Sequence, residues 1–148
     1  MSSTAEAIAA GARSESEVWG RALREESNWS PVFSPLAPSE LALGLETVYE
    51  AYLVHYGDPR LFAPPDADEA VLLGDYLYAH GLVRISDAGG VEAVATMAEL
   101  ISRCAALRAA GEPGDGQAWL EAARALGGGA GPVAEAAALT AHATRIPV

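Results

Sequence analysis

Lysine is absent from this chain: all nine basic residues are arginine, set against 20 acidic ones, for a net charge of -11. Such a surface repels phosphate backbones and anionic lipid, which moves nucleic-acid and membrane-surface roles well down the order of functions. Cysteine occurs once, as Cys104, so no internal disulfide forms, and no four-ligand Cys/His set exists for zinc. The opening MSSTAEAIAAGARSESEVWG has neither a basic n-region nor a continuous apolar run. It reads as neither a signal peptide nor a membrane span, and a cytoplasmic location is expected. In that setting the sequon Asn28-Trp29-Ser30 is a chance match. Period-two alternation is also missing over any useful length, which excludes a sheet and leaves an all-α chain of about six helices.

At 148 residues the chain fits one domain with one core. Residues 1–38 read as an N-terminal helix, about 4–26, followed by a Pro/Ser-rich linker or ordered meander pinned by Trp29 and Phe33. A helical bundle then runs over 39–148. Ser39 is placed to cap the next helix, in which Leu41, Leu45, Val48, Tyr52 and Tyr56 make one apolar stripe. Leu43, Thr47, Ala51 and Val54 make a second face, and a helix apolar on two faces belongs in the middle of a bundle. Prolines 59, 64 and 65 break it, and Asp66 with Glu69 forms a capping-box-like start for a helix over about 67–86. SDAGG at 86–90 reads as its end. A further helix over 91–110 points Val94, Met97, Ala98, Ile101, Cys104, Ala105 and Leu107 inward and is capped by Gly111. Two short helices, 117–126 and 132 to about 142, complete the chain, the last opened by Gly131-Pro132.

The stretch VLLGDYLYA at 71–79 resembles the Gly-Asp-Tyr-Leu helix of the trans-isoprenyl diphosphate synthases, the polyprenyl synthetases. The preceding LETVYEAYLVHYGDPR is similar to that family's first aspartate-rich helix: Glu46, Val48, Ala51, Leu53 and His55 fall in register, with Tyr49 where the family has its first His. The resemblance covers about residues 40–110 and implies the first half of a large helical bundle. It also implies what has changed. Where the family carries Asp-Asp-x-x-Asp, this chain has Tyr56-Gly57-Asp58-Pro59-Arg60, so the first, second and fifth positions are Tyr56, Gly57 and Arg60, and Asp58 sits at a position that is no ligand. In the family those carboxylates hold magnesium against an allylic diphosphate, a task arginine cannot perform. The Gly-Gly-Lys-Arg-like segment and the second aspartate-rich motif are missing as well. The resemblance therefore implies a catalytically silent subunit with no cofactor, pairing with a complete prenyl diphosphate synthase or with itself as a homodimer, and shaping assembly or the product cavity. The alternative is a non-catalytic, homo-oligomeric module that holds an isoprenoid or other lipid-like ligand.

For the silent chain, Leu45, Ala51, Tyr52, Tyr56, Leu72 and Tyr76 are the residues expected to line a surviving apolar cavity or a subunit contact, against the plainer reading of an aromatic core. Gly74 and Asp75 are expected to be structural. Asp75 either anchors the bundle through a buried bond to an arginine or tyrosine hydroxyl, or lies on a solvent-facing strip, since a buried unpaired carboxylate is costly. His55 and His80 lack ligand spacing and read as helix-end or core histidines. GEPGDG at 111–116 and GGGAG at 127–131 read as turns and caps, and Cys104 as a small core residue.

Overall fold

A computed structural model describes residues 2–146, and over them the chain is all-helical. Six α-helices follow in order: α1 Ser3–Glu15, α2 Glu17–Arg21, α3 Ala42–Tyr56, α4 Ala67–Ala110, α5 Asp115–Ala125 and α6 Pro132–Arg145. Two single 3-10 turns, Ser34–Leu36 and Ser39–Leu41, lead into α3.

The central element is α3. Every residue from Gly44 to Val54 is buried, so the helix has no solvent face in its middle. Its two apolar faces feed two separate parts of the core, as their spacing indicates. Leu41, Leu45, Val48 and Tyr52 pack with Phe33, Met97, Leu100 and Trp119. Ala51 and Val54 pack with Ala5, Ile8, Ala12, Phe62, Leu73 and Leu77. Burial of aromatic side chains of this size dominates the stabilisation of a small domain, and Phe33, Tyr49 and Trp119 meet at ring separations of 5.0–5.5 Å in stacked and edge-on pairs.

Several boundaries differ from the sequence expectation. The N-terminal helix over 4–26 is two helices, because Ser16 takes extended backbone and its hydroxyl accepts from Val18 N–H to start α2. Ser39 does not cap α3 through its side chain: the entry is a 3-10 turn that begins after Pro38, with no side-chain capping bond. The two helices expected on either side of SDAGG are present and meet at a kink within α4 at Gly90, where φ is 75° and ψ is -168°; the difference is that the first of them continues through residues 86–89 instead of ending near Ser86. A residue with a Cβ strains at that φ. Beyond Gly90 the inward stripe is Ala93, Met97, Leu100 and Cys104. Ala98 and Ala105, expected inward, are exposed, being one position off that three- and four-residue repeat. The expected caps at Asp66, whose carboxylate accepts from Glu69 N–H at 2.8 Å, and at Gly111, with φ 67°, are present.

Glycines let α3 and α4 approach closely. A Cβ at Gly81 would lie 2.6 Å from Val48 Cγ2, one at Gly44 would lie 2.8 Å from the Ile85 side chain, and one at Gly74 would lie 2.1 Å from the His55 ring. Gly74 is thus the seat of His55, whose Nε2 donates to the Val71 carbonyl at 3.1 Å. Replacing Gly74 or Gly81 by alanine overfills this seam and is expected to cost about 1–3 kcal/mol, read as a lower urea midpoint with an unchanged slope.

Candidate functional site

Two polar clusters flank α3, and together they hold most of the charged groups that the fold buries, Arg145 lying apart from both. In the first, Glu46 and Glu50 lie one helical turn apart on α3, where a fully buried helix leaves a carboxylate no route to water. Arg60, on the segment that leaves α3, supplies the counter-charge and is itself 0% exposed. Its Nη1 donates to Glu46 Oε1 at 2.6 Å and to the Ser30 carbonyl at 2.9 Å, and its Nε donates to Glu50 Oε1 at 2.9 Å. Backbone N–H groups of Arg60 and Leu61 donate to Glu50 Oε2 at 2.9 and 2.8 Å, and Val32 N–H donates to Glu46 Oε2 at 3.2 Å. The guanidinium also lies 4.1 Å from the centre of the Trp29 ring, a cation–π contact. Burial works against the charge of Arg60, but the two carboxylates more than offset it and raise the guanidinium's pKa above its ordinary value.

These distances decide what residues 56–60 can hold. Helix α3 ends at Tyr56 with Gly57 as its C-cap, so the segment is not helical beyond that point. A Cβ at Gly57 would meet the Arg145 carbonyl oxygen at 2.6 Å. Asp58 faces outward to Arg24 at 3.2 Å and Arg145 at 3.6 Å, while Arg60 faces inward. Tyr56, Gly57, Asp58 and Arg60 therefore offer no convergent set of carboxylates, and a magnesium ion does not fit them.

The second cluster lies between α3, α4, α5 and α6. Asp115, the first residue of α5, accepts at Oδ2 from Tyr52 hydroxyl at 2.6 Å, from Arg108 Nη2 at 3.0 Å and from His142 Nε2 at 3.1 Å. Because a carboxylate accepts, the proton sits on Nε2, and in the neutral ring Nδ1 accepts from Tyr49 hydroxyl at 2.7 Å. Burial alone would raise the Asp115 pKa, but bonds from His142 and Tyr52 and the charge of Arg108 hold the carboxyl well below the usual carboxylate range. Burial also pushes both tyrosine hydroxyls far above the ordinary phenol value, so they stay protonated as donors. Asp115 and His142 border an open depression of about 380 Å3 lined also by Gly114, Gln117, Leu139 and Ile146.

The residues expected to share one cavity or contact do not share one environment. Leu45 and Tyr52 lie in the aromatic part of the core with Tyr56 packed against it, whereas Ala51 lies in the second part, with Tyr76 packed against that. Leu72 is 58% exposed, on the outer side of α4. Asp75 is not the buried anchor but lies on the solvent-facing strip: its side chain is 65% exposed, and its carboxylate lies 3.6 Å from His55 Nε2. His80 pairs with Tyr76 hydroxyl at 3.1 Å. Cys104 is buried as expected, and burial together with the nearby Asp115 charge pushes its thiol up to about 12. It is expected to resist maleimide labelling at pH 8 in the folded protein and to react once urea unfolds the chain, read by mass spectrometry.

Sequence reasoning did not find Arg60, Glu50, Asp115 or His142 as partners. The available signal was the pair Glu46 and Glu50 at helical spacing on an otherwise apolar helix, which demands a cation. In comparisons with protein-family models, with curated proteins and with solved structures, nothing matches this chain.

Proposed function

We propose that this chain is a catalytically silent, polyprenyl-synthase-like subunit that acts by pairing with a complete prenyl diphosphate synthase. The observation that carries the reading is Arg60. At the fifth position of the stretch that resembles the metal-binding motif, the side chain is an arginine locked between Glu46 and Glu50 inside the protein. A cation in that place does not bind magnesium, and without magnesium the departing diphosphate has no charge stabilisation. The place where the resemblance implies a growing isoprenoid chain would lodge is occupied too: Tyr52 packs on Tyr56 at 4.9 Å and on Trp119 at 5.9 Å between ring centres. That filling favours an interaction role over the lipid-carrying alternative. The described residues contain no helix long and apolar enough to cross a membrane.

The test has two parts. The purified chain, given allylic and homoallylic diphosphates with magnesium, is expected to form no condensation product, and formation of product overturns the reading. Tagged protein from its native host is expected to retain a complete prenyl synthase in near-equal amount. Recovery of the chain alone, sedimenting as a monomer at micromolar concentration, overturns the pairing.

A further inference from the structure

The outer side of α4, across and beyond its Gly90 break, carries a groove that the clusters around α3 do not use. Two adjoining depressions, about 310 and 230 Å3, share Thr96 and Ala125 and so run continuously between α4, α5 and the turn before α3. Their floor is small and apolar: Leu41, Ala93, Leu100, Ala118 and Ala122, each buried to 8% exposure or less. Their rims are acidic, with Glu40 and Glu92 on one depression and Glu99 and Glu121 on the other, all exposed. Among the described residues the lining carries one cation, Arg103, and Glu121 already engages it. Beyond Gly90, from Glu92 to Arg103, the groove follows about three turns of α4, roughly 17 Å at 1.5 Å per residue.

An alanine-rich floor lets another helix approach closely, and the three rim glutamates that Arg103 does not engage, Glu40, Glu92 and Glu99, select the sign of that helix. A second copy of this chain is disfavoured there, because it would set these glutamates against each other. We propose that this groove docks an amphipathic helix of a partner protein whose apolar face is flanked by lysine and arginine. The inference rests on the silent-subunit reading for the existence of a partner and adds the chemistry of the contact.

The probe is an 18-residue synthetic helix with leucine and alanine on one face and lysine along both edges, labelled for fluorescence anisotropy. Three proteins are compared: the wild type, Glu92→Lys/Glu99→Lys, and Glu25→Lys/Glu26→Lys, which has the same net charge but leaves the groove intact. The expected result is micromolar binding to the wild type and the control, at least tenfold weaker binding to the groove variant, and loss of binding to Thr96→Trp, which plugs the shared waist. A scrambled peptide of the same composition is expected to bind at least tenfold more weakly. Equal weakening by both charge reversals, equal binding of the scrambled peptide, or no binding at 100 micromolar, about 5.5 kcal/mol, overturns the proposal. None of these outcomes bears on whether the chain is catalytic, which the condensation assay decides separately.

Discussion

Replacing Arg60 by alanine is expected to cost about 3–5 kcal/mol, the usual effect of removing one member of a buried ion cluster and leaving the others uncompensated. Glu46 and Glu50 are 1% and 0% exposed, so neither can turn to water when the guanidinium is gone. The Trp29 ring, which stacks on that guanidinium, loses its contact in the same step. Against a total stability of about 5–15 kcal/mol for a domain, this loss leaves a marginal protein, and urea titration followed by circular dichroism measures it directly. The triple variant Arg60→Met, Glu46→Gln, Glu50→Gln is expected to recover part of the loss, since it removes all three buried charges while the amide oxygens still accept from the backbone N–H groups of Val32, Arg60 and Leu61. A loss under 1 kcal/mol in the alanine variant would mean that the cluster does not hold α3 to the segment after it.

The second large effect is expected at Asp115. Alanine there leaves Tyr52, Arg108 and His142 without the oxygen that receives all three. Unsatisfied buried donors cost about 1–3 kcal/mol each when no water replaces the acceptor, and partial rescue at the rim of the depression sets the expected total near about 3 kcal/mol. The effect depends on pH with a definite sign. The carboxyl is held below its ordinary value of 3.8 in the fold, so its contribution is present above that value and is lost as pH falls through it toward the folded pKa. The difference in urea midpoint between wild type and Asp115→Ala is therefore widest near neutrality and narrows below about pH 4. A gap that stays constant from pH 7 to pH 3 would show that the negative charge contributes nothing.

The double apolar stripe of α3 was legible because side chains of one type recur on two faces, a pattern that sequence spacing reports directly. Burial of charge was not, and it failed in both directions. The burial of Glu46 and Glu50 went unread, because their partner Arg60 lies beyond the end of that helix and no spacing on α3 points to it. Asp75 invited a buried reading from its apolar neighbours, yet it stands on the opposite side of α4 from Leu73 and Leu77, which face the core. Angle around the helix, not proximity along the chain, decided its fate. Asp115 and His142 are 27 positions apart and meet only through the packing of α5 on α6, so no local pattern joins them. At Gly90 the glycine pair marked a real break, because the non-helical backbone there separates two helices that meet at a kink.

The burial of α3 on every side has a consequence for how the molecule is made. Tyr49 and Tyr52, near its middle, find their polar partners at His142 and Asp115, and the backbone N–H of Asp58 just past its end donates to the carbonyl of Arg145 at 2.8 Å. A ribosome releases α3 long before it releases α6, so for most of synthesis this greasiest helix waits without its final cover. Contacts spanning 63, 87 and 93 residues close late and fold slowly. During that interval the nascent chain exposes the apolar faces of α3, so its yield on expression is expected to depend on how well that interval is protected from aggregation.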